Sequence, residues 1–192
     1  MKEYDRMQKI LDIQDDSVFL WGARQVGKST LVKKLFPDAK VYDLLKSDEY
    51  SRLLRRPQLL REELISYDET KIVVIDEIQK IPSLLDEVHW LIVNRGIRFV
   101  LCGSSARKLR KGGVNLLGGR ARVRNLHPFS ASELGDAFDL DRAINHGLVP
   151  GIWDSDEPDE DLAGYVSLYL EQEIMQEGAT RNLPAFSRFL EV

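Results

Sequence analysis

At 192 residues the chain is long enough for one sizeable hydrophobic core, or for one domain and part of another. Apolar residues at 43% beside 30% charged ones are ordinary for a soluble globular protein, and a net charge of -4 excludes a global pull toward nucleic acid or anionic membrane. No stretch approaches the roughly 18 apolar residues of a membrane span, and the amino-terminal Met-Lys-Glu-Tyr-Asp-Arg lacks the apolar core of a signal peptide, so a cytoplasmic protein is expected.

Residues 2–16 alternate charge with isolated apolar positions (Tyr4, Met7, Ile10, Leu11), which suits a short helix ahead of the first strand. Val18, Phe19, Leu20 and Trp21 then form a short apolar run that meets Gly22. After four intervening residues Gly27-Lys28-Ser29 opens a segment with helical spacing. Together these are the G-x-x-x-x-G-K-[ST] phosphate loop in its required setting, a buried-type strand before it and a helix with Leu31, Val32, Leu35 and Phe36 after it. Residues Gly22, Ala23, Arg24, Gln25, Val26, Gly27, Lys28, Ser29 and Thr30 are expected to cradle a nucleoside triphosphate, because the glycines let backbone N–H groups gather round the phosphates and the helix adds its N-terminal dipole. Lys28 would reach the β- and γ-phosphates, and the Ser29 hydroxyl would sit on Mg²⁺.

The helix should stop near Phe36, before Pro37. Lys40–Leu44 reads as a second strand, and Ser47–Arg56 and Pro57–Ser66 as two helices, the second with proline at its first position. Asp43 ends that strand as a cap or as a group facing the nucleotide, capping being the commoner role. Lys71-Ile-Val-Val-Ile-Asp-Glu77 is a central parallel strand by its run of β-branched residues, with two carboxylates at the end where ligands bind in open α/β sheets. Beside a phosphate loop, Asp76 is the candidate Mg²⁺ holder and Glu77 the candidate that polarises the attacking water.

After Pro82 a stripe of Leu84, Leu85, Val88, Leu91 and Ile92 predicts a helix ended by Gly96, and Ile97–Leu101 a further buried strand. It closes in Cys102-Gly103-Ser104-Ser105. The single cysteine, in an apolar run, reads as a small buried hydrophobe. Ser104 and Ser105 are candidate γ-phosphate sensors, Ser105 slightly ahead of Ser104, with an N-cap role for the following helix as the alternative. The histidines at 89, 127 and 146 make no metal constellation.

Residues 106–119 are basic and then glycine-rich, the composition of a mobile loop, and Ala121–Leu126 reads as a fifth strand ended by Pro128. Beyond it Ser130-Ala-Ser-Glu133 is a capping box heading a helix over 130–138. A loop around Gly147, Pro150 and Gly151 follows, then an acidic linker over 154–161 leading into a helix through Tyr165, Val166, Tyr169, Leu170 and Glu173. The expected organisation is therefore a nucleotide domain over 1–128 and a small helical region over 129–192, which stops in mid-pattern as though cut short. Charge is distributed unevenly: 105–124 holds seven basic residues and no acidic one, 154–177 nine acidic residues and no basic one. Such runs are either solvated faces or surfaces that could pair between subunits.

Gly22-Ala-Arg-Gln-Val-Gly-Lys-Ser-Thr30, Ile75-Asp-Glu-Ile-Gln79, Cys102-Gly-Ser-Ser105, Leu117-Gly-Gly-Arg120 and Leu126-His-Pro-Phe-Ser-Ala-Ser-Glu-Leu134 together resemble the AAA+ family of uncharacterised bacterial and archaeal P-loop ATPases. The likeness covers most of 17–134. Gly147–Gly151 and Tyr165–Glu173 follow the family's next segments less closely, with Glu171-Gln-Glu173 in place of a more usual Glu-Arg-Asp and Trp21 in place of a smaller aliphatic residue. The resemblance implies an α/β fold with a five-stranded parallel sheet in the order 5-1-4-3-2 and a helical region after it. It also implies ATP and Mg²⁺ as ligands, a homo-oligomer, and an arginine finger at Arg120 that projects into a neighbouring subunit's site; a strand-end arginine paired with a carboxylate is the alternative there.

Three functions compete at this point. One is an ATP hydrolase that couples nucleotide state to a conformational change in an unidentified target or attached domain. Another is an ATP-dependent regulatory switch, or a nucleic-acid-associated binding module using the 105–124 stretch, with negligible turnover. A phosphotransferase is disfavoured by Glu77, because a kinase must exclude water rather than activate it.

Overall fold

The computed structural model describes residues 4, 6, 16–68, 71–104, 109 and 117–167. The apolar runs form five strands: β1 (Ser17–Trp21), β2 (Lys40–Asp43), β3 (Ile72–Asp76), β4 (Arg98–Gly103) and β5 (Ala121–Asn125). Every pairing is parallel and the order is β2-β3-β4-β1-β5, the expected 5-1-4-3-2 read from the other edge. β1 is buried along its whole length and β3 and β4 nearly so, because helices cover both faces of the sheet. The edge strands carry the exposed apolar side chains, Val41 on β2 and Val123 on β5.

Alternation along the central strands splits the core in two. Phe19, Ile75, Phe99 and Leu101 face a cluster completed by α2 (Ser47–Arg55), α3 (Leu59–Leu64) and α4 (Leu84–Arg95). Val18, Leu20, Val74, Val100 and Cys102 point the other way, onto Leu31 and Val32 of α1 (Lys28–Leu35). Each such buried aliphatic or aromatic side chain contributes roughly 1.5–3 kcal/mol. α4 ends as expected on Gly96, which adopts φ 65° and donates its N–H to Ile92 O at 3.1 Å.

Two elements of this half differ from expectation. Pro57 does not open α3: it lies in a turn in which Leu60 N–H reaches Pro57 O at 3.1 Å, and the helix begins only at Leu59. β4 runs two residues further than Leu101 because Cys102 and Gly103 keep pairing with Leu20 and Trp21 of β1.

The chain divides into two compact units, Arg6–His127 and Met1–Asp5 with Pro128–Val192. In the second, the Ser130–Glu133 capping box forms with both of its hydrogen bonds, but α5 covers only Ala131–Leu134. Gly135, at φ 52°, turns the chain into a short 3-10 segment, so the helix expected over 130–138 is broken. α6 (Leu140–His146) starts on the Asp139 side chain, which accepts the Arg142 N–H at 2.8 Å. Two further expectations are corrected. Pro150 opens a helical turn, α7 (Pro150–Trp153), where a loop was expected, and the acidic stretch is already helical from Pro158 in α8 (Pro158–Tyr165), because proline suits the first helical turn and acidic residues suit its dipole. This unit's core is Phe129, Leu134 and Trp153, with Tyr4 set edge-on to Phe129 at 4.9 Å. Of the helix expected over 2–16 only residues 4, 6 and 16 are described, none of them helical; the rest of it, the helix expected past 167, Ser105 and most of the basic loop lie outside the described residues.

Candidate functional site

The candidate phosphate loop leaves β1 at Trp21 and closes on α1, and its two glycines are required for different reasons. Gly27 takes φ 92°, a left-handed conformation that costs a side-chain-bearing residue roughly 1–2 kcal/mol. Gly22 has an ordinary backbone but no room: a Cβ there would lie 2.4 Å from Leu126 O, because Leu126 N–H bonds Trp21 O at 2.7 Å and draws the two segments together. Gln25 is also left-handed at φ 61°, so the loop holds strain in a residue that does not suit it.

Lys28 is the first residue of α1 and is buried, with 7% of its surface exposed. Its Nζ donates to Gly22 O at 2.7 Å and Ala23 O at 2.9 Å, so the ammonium lies inside the loop it follows. Burial pulls its pKa below the ordinary lysine value, and the negative charges of Glu77 and Asp76 oppose that pull. A desolvated cation held by neutral carbonyls is a place for an anion.

The end of β3, one strand beyond β4, brings up the acids. Ser29 Oγ donates to Asp76 Oδ2 at 2.8 Å, joining the start of α1 to the end of β3. Serine and aspartate oxygens are the donors a hard cation takes, and among the described residues no group of three or more His, Cys, Asp or Glu could hold a metal. Two oxygen donors without a protein cage fit Mg²⁺, which keeps several waters and takes its other ligands from phosphates. Asp43, the register partner of Asp76, instead accepts the Leu45 N–H at 3.0 Å and caps its own turn. Cys102 is buried behind this corner, a free thiol pushed up by burial and then by Asp76.

Glu77 leaves β3 with φ 59°, its N–H bonded to Asp76 Oδ1 at 3.0 Å. The turn re-aims its side chain toward β4. There Gln79, in the 3-10 turn Ile78–Lys80, donates from Nε2 to Glu77 Oε2 and to Ser104 Oγ, the latter at 3.3 Å. Lys28, Ser29, Asp76, Glu77 and Ser104 therefore gather at the carboxyl ends of β1, β3 and β4.

Arg120 is not among them. It follows the turn Leu117–Gly119 and precedes β5, whose first residue pairs with Ser17 at the start of β1, so it sits at the opposite end of the sheet from the loop. Four residue steps of ~3.3 Å separate the two ends, about 13 Å along the strand. Its side chain is exposed and makes no ion pair among the described residues. Arg122, two residues on, is paired with Asp16.

Sequence reading missed Gln79 and Gly103. Gln79 was visible only as part of Asp-Glu-Ile-Gln, and Gly103 as the residue before the serines. Their importance depends on which strands are neighbours: Gly103 is the register partner of Trp21, and a Cβ on it would lie 2.5 Å from the indole Cζ3 and 2.2 Å from Gln79 Oε1. The bulky tryptophan ahead of the loop is accommodated by a glycine on the next strand.

The chain matches the family described as AAA domain over residues 14–135. Among solved structures it is similar to a RuvB variant from Thermotoga maritima, at 20% identity and TM-score 0.44 over 64% of this chain and 41% of that one. It is also similar to a signal transduction ATPase with numerous domains (STAND) from Pyrococcus horikoshii, at 18% identity and TM-score 0.40 over 78% and 25%. A third is the Drosophila ORC structure bound to DNA, at 11% identity and TM-score 0.40 over 81% and 51%. The chain thus spans a quarter to about half of the length of these structures. No curated protein matches it.

Proposed function

Because the chain belongs to the AAA-domain family, and is on that ground a nucleotide-binding ATPase domain, we propose that it hydrolyses ATP and uses the cycle to change the conformation of an attached domain or target. The observation that carries this reading is the convergence of a buried Lys28, the Ser29–Asp76 pair and Glu77 at the carboxyl ends of β1 and β3, the two strands that flank β4. The loop of residues 22–30 binds the phosphates through its backbone N–H groups, with Lys28 against the β- and γ-oxygens. Ser29 and Asp76 are the residues that would hold Mg²⁺, which neutralises charge developing on the phosphates.

Glu77 takes a proton from water as the water oxygen bonds the γ-phosphorus and the bond to the β-γ bridging oxygen breaks, giving ADP and inorganic phosphate. Ser104 contacts the γ-phosphate; Ser105, the other candidate, lies outside the described residues. Arg120 cannot reach the site of its own subunit from the far end of the sheet, which supports a finger acting on a neighbouring subunit of a homo-oligomer. We place the domain boundary at residue 128 and the protein in the cytoplasm; among the described residues no helix is long and apolar enough to cross a membrane.

Phosphate release under saturating ATP and Mg²⁺ tests the reading. Wild-type protein is expected to turn over, while Lys28→Ala falls to background and loses ATP binding by calorimetry. Wild type that binds ATP but releases phosphate no faster than Lys28→Ala is a nucleotide-locked switch instead. In a second arm, Arg120→Ala should be nearly inactive alone and partly restored by mixing with Lys28→Ala, whose arginine remains intact. Absence of restoration leaves Arg120 a structural residue.

A further inference from the structure

Gln79 is the polar residue at this site for which the hydrolysis scheme has no task. It is 8% exposed, set between Ile78 and the strand ends, and its amide spans two adjacent strands: one contact on Glu77 after β3, the other on Ser104 after β4. Chemistry fixes which way round the amide lies. The Glu77 carboxylate only accepts, so the NH₂ end must face it, and a flipped amide would set oxygen against oxygen. With both donors committed, Oε1 is left buried with no hydrogen-bond partner among the described residues, in space that exists because residue 103 has no side chain.

An unbranched apolar side chain of the same length would fill that volume without stranding an acceptor. What the amide adds is the pair of donors, and those donors join the candidate base to the candidate sensor. Neither end is fixed by a longer reach of its own: Glu77 stands on a left-handed residue whose side chain is aimed by what it bonds, and Ser104 is the residue where β4 has just ended.

We propose that Gln79 is a positioning residue that couples Ser104 to Glu77, so that the hydroxyl contacting the γ-phosphate and the carboxylate activating water are set by one buried amide. This rests on the hydrolase reading above and assigns the sensor to Ser104. In this role Gln79 acts through the two groups it holds.

The test is a double-mutant cycle on the intact chain. Gln79→Met keeps length and volume but removes both donors, and kcat is expected to fall about 10–100-fold, in the range of site-to-site couplings, with KM for ATP and calorimetric ATP affinity within about threefold of wild type. Gln79→Glu keeps the shape but turns an acceptor toward Glu77, and should fall further. Ser104→Ala combined with Gln79→Met should be no slower than the slower single variant, since the two changes break one linkage.

Multiplicative losses in the cycle, or wild-type kcat in Gln79→Met, overturn the coupling. So does a Gln79→Met protein whose melting temperature and ATP affinity drop together, because that is the signature of a packing role. Failure of the underlying reading looks different: wild-type protein would then bind ATP and release no phosphate, which removes the hydrolase and this role with it. A wild type that turns over beside an equally fast Gln79→Met removes this role alone.

Discussion

At the carboxyl ends of β1 and β3, Lys28 and Gln79 are buried and incompletely satisfied, whereas on the flank of β2 a buried tyrosine hydroxyl and half-exposed charges are matched partner to partner. At the first place Lys28 is desolvated, Gln79 strands an acceptor, and both Gln25 and Glu77 hold left-handed backbone. At the second the Tyr42 hydroxyl donates to Glu63 at 2.9 Å, Arg52 bonds both Glu63 and Glu49, and Lys40 lies 3.6 Å from Glu63. Both clusters belong to one sheet, so the contrast is not one of fold quality. Strain and unmet hydrogen bonding cost about 1–3 kcal/mol each and persist where an incoming ligand can use them. A closed ring of partners has nothing left to offer a ligand, and its role is to fix α2 and α3 against β2.

The sharpest way to separate the two clusters is to change one atom in each. Glu77→Gln keeps size and hydrogen bonding but cannot accept the proton, so kcat should fall about 10²–10⁴-fold with ATP affinity retained, read by single-turnover phosphate release beside calorimetry. Equal loss of both would place Glu77 with the structural cluster. Lys28→Met comes next. ATP affinity should fall on the order of 100-fold, from loss of charge-assisted bonds worth about 1.5–3 kcal/mol each. Its stability should move the other way.

The sign follows from burial. The folded pKa of Lys28 is lowered below 10.5, so above that folded value the unfolded chain binds more protons and stability rises with pH until 10.5 is passed. At neutral pH the charged lysine therefore costs stability, and Lys28→Met should melt no lower than wild type there, its advantage shrinking as pH approaches 10. A clear drop in melting temperature at pH 7 would mean that the bonds to Gly22 and Ala23 outweigh the desolvation.

Gly103→Ala gives a smaller effect and probes the seam between the site and the core. The new Cβ would meet Trp21, whose ring is stacked on Phe19 at 5.4 Å and cannot swing away, and the Gln79 amide. Overpacking of this kind costs about 1–3 kcal/mol, or roughly 2–12 °C for a chain of this size, and displacement of Gln79 should slow turnover as well. A variant with unchanged melting temperature and rate would show that the glycine is not needed for space.

What the sequence disclosed follows from the same contrast. The central strands were legible because a parallel strand covered on both faces must be a continuous apolar run, and the loop was legible because Gly27 and Lys28 are dictated by phosphate geometry. Trp21 against Gly103, Gln79 against Ser104 and Gly22 against Leu126 were not, since each is a contact between segments 25 to 104 residues apart and leaves no local period. In the helical unit the pattern failed for another reason. Gly135 and Pro150 are compatible with either a loop or a short helix, and packing of Trp153 and Leu134 into a common core decided between them.

The last and smallest effect is expected at Glu63. Burial raises its pKa, but hydrogen bonds from Arg52 and Tyr42 and the charges of Arg52 and Lys40 outweigh it and hold the carboxyl below its ordinary 4.5. The contribution to stability is thus fully present above pH 4.5 and is lost as pH falls through the lowered folded value. About a third of the side chain is exposed, so water screens the ring, and a pair of this kind contributes at most about 1 kcal/mol, some 2–4 °C here. Glu63→Gln should lower the melting temperature by that much at pH 7 and by progressively less toward pH 3, with ATP turnover unchanged at permissive temperature. A loss that persists undiminished at pH 3 would trace to packing of α3 rather than to charge. A change in turnover would break the division itself, because it would show that the flank of β2 transmits to the carboxyl end of β3 through Tyr42 and its register partner Ile75.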